Sequence, residues 1–300
     1  MNYEITHITT YDYSHPVSVS HHVLRLHPRN LTRQVCVRNE VRIDPQAAVT
    51  KSHTDYFGNP VTFVTVEGAH KNLVVTSRSR VEVQSTTPPK PTDTPAWETV
   101  RDLCLDDQPN DAAEACEFIY NSPYVKIQPA FAEYAAPSFV PGQPVLAAAL
   151  DLTQRIYRDF KFDRKATTIA TPLEEVLKNR RGVCQDFAQL EIACLRSIGI
   201  PARYVSGYLE TQPPPGKPRL VGADASHAWV SLFCPGTGWI DLDPTNNVMP
   251  STRHITLAWG RDYSDVSPIR GVILGSGEHS LKVSVDVLPL DSKEALQLVS

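Results

Sequence analysis

The chain has no apolar run approaching the roughly 20 residues that a membrane-spanning helix needs. Its start, Met1-Asn2-Tyr3-Glu4-Ile5-Thr6, has neither the basic opening nor the apolar stretch of a secretory signal, so a cytoplasmic location is expected. An excess of one charge is missing too. Against 33 acidic residues stand 29 Lys and Arg, and the net charge of −4 offers no basic field for nucleic acid. The six cysteines (36, 104, 116, 184, 194 and 234) include no Cys-x-x-Cys pair, and their spacing suggests neither a disulfide framework nor a zinc knuckle. Glycine is scarce beside proline, 14 against 25, which predicts loops and strand ends rather than long helices. What is present is an ordinary globular composition, 41% hydrophobic and 21% charged, in a chain whose 300 residues exceed the usual single domain.

The first 85 or so residues read as β. Val35, Val37, Val41 and Ile43 share one parity against Arg38, Glu40 and Arg42, the pattern of a half-buried strand. Leu73, Val75, Val81 and Val83 repeat it against Arg78, Arg80 and Glu82, and Asp55-Tyr56-Phe57-Gly58-Asn59-Pro60 between them is dense turn chemistry. Strands at this spacing predict an antiparallel β-sandwich. Thr86-Thr87-Pro88-Pro89-Lys90-Pro91 marks a linker, so residues 1–91 are expected as an N-terminal β domain and 92–300 as the core. The core is taken to include a closing strand through Leu281, Val283, Val285 and Val287 and to stay folded alone, the alternative being that this strand pairs into the N-terminal sheet and a truncated core aggregates. The β domain, with no ionisable cluster, is assigned to packing or framing a substrate.

Beyond the linker, Ala113 to Tyr120 reads as helical and Pro129 to Pro144 as an irregular crossing. Leu146, Leu150, Thr153, Tyr157 and Phe160 fall on one helical face. Thr171, Pro172 and Glu174 spell a capping box for a helix ending near Arg180. A third helix starts near Cys184, carries Phe187, Leu190, Cys194, Leu195 and Ile198 at helical spacing, and stops at Gly199 and Pro201. Strands follow at residues 203–209, 227–233 and 239–243, interrupted by the proline-rich 212–216.

A cysteine is by default a small buried hydrophobe, and Cys194 on its apolar stripe fits that reading. Cys36, Cys104, Cys116 and Cys234 show no evident partner. Cys184 differs, because a helix start offers unpaired N–H groups and a dipole that favour a thiolate and can supply a donor to an oxyanion. His227 and Asp243 are the candidate base and orienting acid. With Cys234-Pro235-Gly236-Thr237-Gly238 as a hairpin loop, residues pair symmetrically about Gly236. His227 then faces Thr245, Trp229 faces Asp243, and Ser231 faces Asp241. His227 and Asp243 become diagonal neighbours on one face, roughly 7–8 Å apart, whereas Asp241 lies out of reach. Asp186 and Gln185 read as first-turn residues favoured by the dipole.

At these residues the chain resembles a known family. Gly182-Val183-Cys184-Gln185-Asp186-Phe187-Ala188, Ser226-His227-Ala228-Trp229-Val230 and Trp239-Ile240-Asp241-Leu242-Asp243-Pro244-Thr245-Asn246 look like the three core blocks of the transglutaminase-like superfamily. More narrowly, the chain is similar to bacterial transglutaminase-like proteins described as cysteine proteases. Their N-terminal region is matched by His27-Pro28-Arg29, Asp55-Tyr56-Phe57-Gly58-Asn59 and His70-Lys71-Asn72-Leu73, and Gly260 to Pro268 continues the likeness. The resemblance implies an α+β fold in which the β-sandwich precedes a papain-like core, with Cys184 as nucleophile, His227 as base and Asp243 as orienter. Eukaryotic members of the superfamily bind the oxyanion with an upstream tryptophan, and none of Trp97, Trp229, Trp239 and Trp259 matches that position. No acidic loop suggests calcium, so neither metal nor cofactor is expected.

The expected activity is thiol-dependent hydrolysis of an amide or peptide through a thioester, on a peptide or protein substrate, with no nucleic-acid or membrane partner. Transamidation, in which an amine replaces water, is the alternative within the same chemistry. A non-catalytic peptide-binding module is the alternative outside it. Oligomeric state is left open.

Overall fold

The structure, a computed structural model, describes residues 1–105, 112–211 and 225–290. Four strands come first: β1 (Asn2–Leu24), β2 (Gln34–Asp44), β3 (Val49–Thr54) and β4 (Pro60–Val83). β1 and β4 pair antiparallel along most of their length, and β2 and β3 share the far side of β4. Register shifts between Asp12 and Val19 break the β1–β4 ladder, the kind of irregularity that bends a strand. Tyr13, Val17, Leu24, Val64, Val66, Leu73 and Val75, drawn from both sides of that break, form one apolar cluster. The antiparallel β domain is therefore a single sheet folded over its own core.

Alternation predicts β4 well, since Leu73, Val75, Val81 and Val83 are all fully buried. It misleads on β2. A register shift between Cys36 and Arg38 inserts an extra residue and exchanges the faces. Val41 and Ile43 pack on the cluster, whereas Val35 and Val37 are exposed.

The middle of the chain is helical: α1 (Trp97–Leu105), α2 (Ala113–Cys116), α3 (Pro129–Ala135) and α4 (Val145–Asp159). A two-residue strand β5 (Lys161–Phe162), α5 (Leu173–Asn179), its partner β6 (Arg181–Gly182) and α6 (Cys184–Ser197) follow. Three sequence expectations are corrected here. The crossing after Pro129 contains α3, with proline at its first position where no N–H is needed. The buried face of α4 runs through Leu146, Ala149, Leu152, Thr153 and Ile156, so Leu150 lies at its margin and Tyr157 outside it. In α5 the cap position falls on Pro172, and the Thr171 hydroxyl instead accepts from the Thr168 N–H at 2.9 Å.

α6 is buried at every position from Asp186 to Arg196, as a helix enclosed on all sides must be. It packs on a four-stranded antiparallel sheet of β7 (Ala202–Leu209), β8 (Ala225–Cys234), β9 (Gly238–Leu242) and β10 (His254–Gly260), ordered β10-β7-β8-β9. The proline-rich segment 212–216 lies outside the described residues. No helix among the described residues is long and apolar enough to cross a membrane.

After α7 (Tyr263–Val266), strands β11 (Ile269–Leu274) and β12 (His279–Leu290) leave the core and complete the N-terminal sheet. β12 pairs with β1 from Asn2↔Leu290 to Tyr13↔His279, and β11 pairs with Val19–Leu24. The closing strand therefore pairs with the N-terminal sheet and not with the β7–β10 sheet. Tyr3, Ile5, Val81, Val83, Val285 and Val287 pack into the same apolar cluster as α4 and α6. Polar contacts fix the junction as well. Asn59, in the expected turn, donates to the Trp259 carbonyl at 2.8 Å and accepts from its N–H at 2.9 Å.

Candidate active site

The local sequence sets the start of α6 tightly. Val183 is extended, and its N–H donates to the Asp186 carboxylate at 2.8 Å, while Thr167 donates to the same oxygen at 2.6 Å. This is the first-turn role expected of Asp186. A Cβ on Gly182 would stand 2.7 Å from that carboxylate oxygen, so only glycine lets the chain pass. Cys184 follows as the first helical residue, half-buried, where N–H groups lack intrahelical acceptors.

β8 and β9 pair as the loop count predicts, with Val230 opposite Leu242 and Cys234 opposite Gly238. That register brings His227 Nε2 to 2.7 Å from Asp243 Oδ2. Asp241, two residues along the strand, pairs with Arg33 at 3.3 Å instead. Asp243 is fully buried, and burial alone would raise its pKa. Its oxygens, however, accept from the N–H groups of Thr245 (2.9 Å) and Asn246 (3.2 Å), the Asn246 amide (2.7 Å), His254 Nε2 (3.0 Å) and His227. These bonds hold the carboxyl well below the usual range, ionised at any working pH. An ionised carboxylate only accepts, so His227 carries its proton on Nε2 and the other ring nitrogen is free for the thiol. Asn246 Nδ2 also lies 3.3 Å from His227 Nε2, but two donors do not bond.

Burial disfavours a charged His227, but the bond to Asp243 and the interaction with the Cys184 thiol outweigh it and lift the imidazole to about 10. His254, sharing the same carboxylate oxygen, is pushed down by burial, so the site holds one imidazolium. A folded-state pKa above the ordinary value of about 6.5 means that the pairing stabilises fully below about pH 6.5. That contribution fades as pH rises through about 10. If the imidazolium protonates a leaving group, kcat/KM should hold through pH 8 and fall on a basic limb approaching pH 10. A pH–rate profile in which activity is already lost between pH 7 and 8 would contradict the pairing.

Sequence reasoning missed His254 and Asn246 as partners of Asp243. Asn246 had a signal in the Asp-Pro-Thr-Asn turn, where an Asx side chain folds back on its neighbours. His254 had none, because it comes from β10, two strands across the sheet from β8. His227, Asp243 and His254 also place three potential metal-ligand atoms within 4.8 Å. Both ring nitrogens already donate to the carboxylate, so a cation would have to displace those bonds.

Cys184 and His227 open onto a cleft of about 700 Å³. Tyr204, Gln185 and Ser226 line it from the core, and the N-terminal sheet supplies the facing wall. That wall is a series of cross-strand pairs, His7↔Val285, Thr9↔Val283 and Tyr11↔Leu281, which continues the buried Ile5↔Val287 pair outward. Leu281 and Val283 are exposed because they face this cleft. His7 bonds Tyr208 and Thr9, each at 2.9 Å, and burial holds it near 4, neutral. Of the other cysteines, Cys194 is buried as expected, and Cys104 finds a neighbour in Cys116.

Residues 3–82 match the family described as the bacterial transglutaminase-like N-terminal region, and residues 133–244 match the transglutaminase-like superfamily. An uncharacterized protein of Mycobacterium tuberculosis is 44% identical over 297 residues, spanning 96% of this chain and 93% of that protein. A stretch of 72 residues, 24% of this chain and 11% of its counterpart, is 42% identical to a protein-glutamine gamma-glutamyltransferase of Pseudomonas aeruginosa. The crystal structure of a "Putative Cysteine Protease" from Cytophaga hutchinsonii has the same fold, with a TM-score of 0.71 at 20% identity over 97% of this chain and 92% of that one.

Proposed function

The chain belongs to the transglutaminase-like superfamily, whose members are in general cysteine-dependent enzymes, and on that premise we propose that it is a thiol-dependent amide or peptide hydrolase. The observation that carries this reading is the Asp243–His227 pair set against Cys184 at the mouth of an open cleft. The Cys184 thiolate attacks the carbonyl carbon, and the carbonyl electrons move to oxygen. His227, charged and oriented by Asp243, gives its proton to the departing amine as the C–N bond breaks. Water then adds to the thioester carbonyl, giving its proton to His227, and the C–S bond breaks to release the acid and restore the Cys184 thiolate.

The Cys184 N–H is one donor for the developing oxyanion. Tyr204 stands as the second. It lines the cleft from β7, is 2% exposed, and its hydroxyl makes no hydrogen bond among the described residues. Tyr204→Phe should lower kcat by about 10–100-fold with KM little changed, since the lost bond forms only in the transition state. A variant with wild-type kcat would remove Tyr204 from the site.

The stretch shared with the gamma-glutamyltransferase favours a second reading, in which an amine resolves the thioester. A peptide library incubated with the enzyme, with and without a primary amine, separates them by mass spectrometry. Cleaved or deamidated peptides in both incubations support hydrolysis, and amine adducts support transfer. Unchanged peptides would overturn both.

A further inference from the structure

Successive residues of β7 point to opposite faces of the sheet. Tyr204 reaches the catalytic cleft, and Arg203 beside it reaches a second cavity of about 770 Å³. The Arg203 guanidinium is held between two indoles, 4.1 Å from the ring centre of Trp239 and 3.8 Å from that of Trp259. The residue is only 9% exposed, yet its side chain makes no hydrogen bond among the described residues, and Nε is buried without a partner. Stacking on aromatic faces offsets part of the cost of burying this charge. It satisfies none of the in-plane N–H donors.

The surroundings are short of negative charge. Across the sheet, Arg203 is in direct register with Ser231, itself fully buried with an unpartnered hydroxyl, and Ser231 with Asp241. Asp241 is committed to Arg33 at 3.3 Å. Arg29 stacks on Trp259 as well, 3.5 Å from its centre. Burial depresses Arg203 to about 9, with Asp241 offsetting this and Arg29 adding to it. Arg33 and Arg203 thus share the Asp241 carboxylate at a cavity large enough for a small molecule, and the in-plane edge of Arg203 is unused.

We propose that this cavity binds an oxyanion, a carboxylate or phosphate group received in the planar fork of Arg203 against the indole walls. Arginine presents paired N–H donors matched to such a group, which lysine does not. The site is separate from Cys184 and stands whether or not the chain hydrolyses amides.

The test uses the full-length 15N-labelled protein and reads the arginine Nε–Hε resonances by NMR. Inorganic phosphate and acetate are titrated separately at constant ionic strength. One resonance, missing from the spectrum of Arg203→Lys, should shift saturably with at least one probe, and the responding probe names the class. Arg203→Lys should weaken binding about tenfold or more, because a point charge replaces the fork. Asp241→Asn should tighten it several-fold by removing a competing carboxylate. No saturable shift with either probe, or equal affinity in Arg203→Lys, overturns the site. Should Arg203→Lys fail to fold by circular dichroism, Asp241→Asn decides, and unchanged or weaker binding there refutes the proposal.

Discussion

A chain starting at residue 92 should be recovered as aggregate rather than as a working core. Its β12 would lose every partner it has on β1, from Asn2 to Tyr13. Val285 and Val287, 1% and 0% exposed in the whole chain, would face water on an unpaired strand. Tyr3, Ile5, Val81 and Val83 would be missing from the cluster that α4 and α6 pack on. At about 1.5–3 kcal/mol for each buried apolar side chain, their loss is worth about 6–12 kcal/mol. That matches the whole stability of a typical domain, about 5–15 kcal/mol. Soluble yield and far-UV circular dichroism read the result, and adding residues 1–91 in trans should restore solubility. A soluble, cooperatively melting fragment would show that the two sheets are energetically independent.

Cys184→Ala and His227→Ala should each reduce turnover to background. In a triad acting as a unit, removing nucleophile or base costs about 10⁶ in kcat, and the orienting acid costs less. Asp243→Asn should fall by about 10⁴ and leave a measurable residue. The amide that replaces the carboxylate offers one acceptor oxygen to two imidazole N–H groups and sets its own donor against a donor. Asp241→Asn should cost far less, because Asp241 meets Arg33 and not the imidazole. Turnover is to be compared only among variants that keep the wild-type melting transition. If Asp241→Asn proved the more damaging of the two, the assignment of Asp243 would fail.

The His227–Asp243 contact was legible because a five-residue loop fixes a register and the register fixes the face. β4 was legible through its parity, and α6 through its spacing and the Gly199–Pro201 stop. The partner of β12 was not. Alternation in Leu281, Val283, Val285 and Val287 says that one face is covered, not by which strand, and its partner stands some 280 residues away. The bulge in β2 was hidden for a related reason, since an inserted residue leaves the composition of a strand unchanged while exchanging its faces. Asp243's second histidine arrives through sheet order, which no local spacing encodes. Arg203, an unremarked charge at a strand start, became informative only once both of its flat faces were seen to be covered.

The pairing of β1 with β12 also sets when the cleft can be completed during synthesis. During synthesis the helices and the β7–β10 sheet leave the ribosome before β12, with Cys184, His227 and Asp243 already made. The wall opposite them still lacks Leu281, Val283 and Val285, which come from the last strand of the described fold. Until that strand is added to β1, a nascent chain carries Cys184 and His227 but lacks part of the wall that faces them.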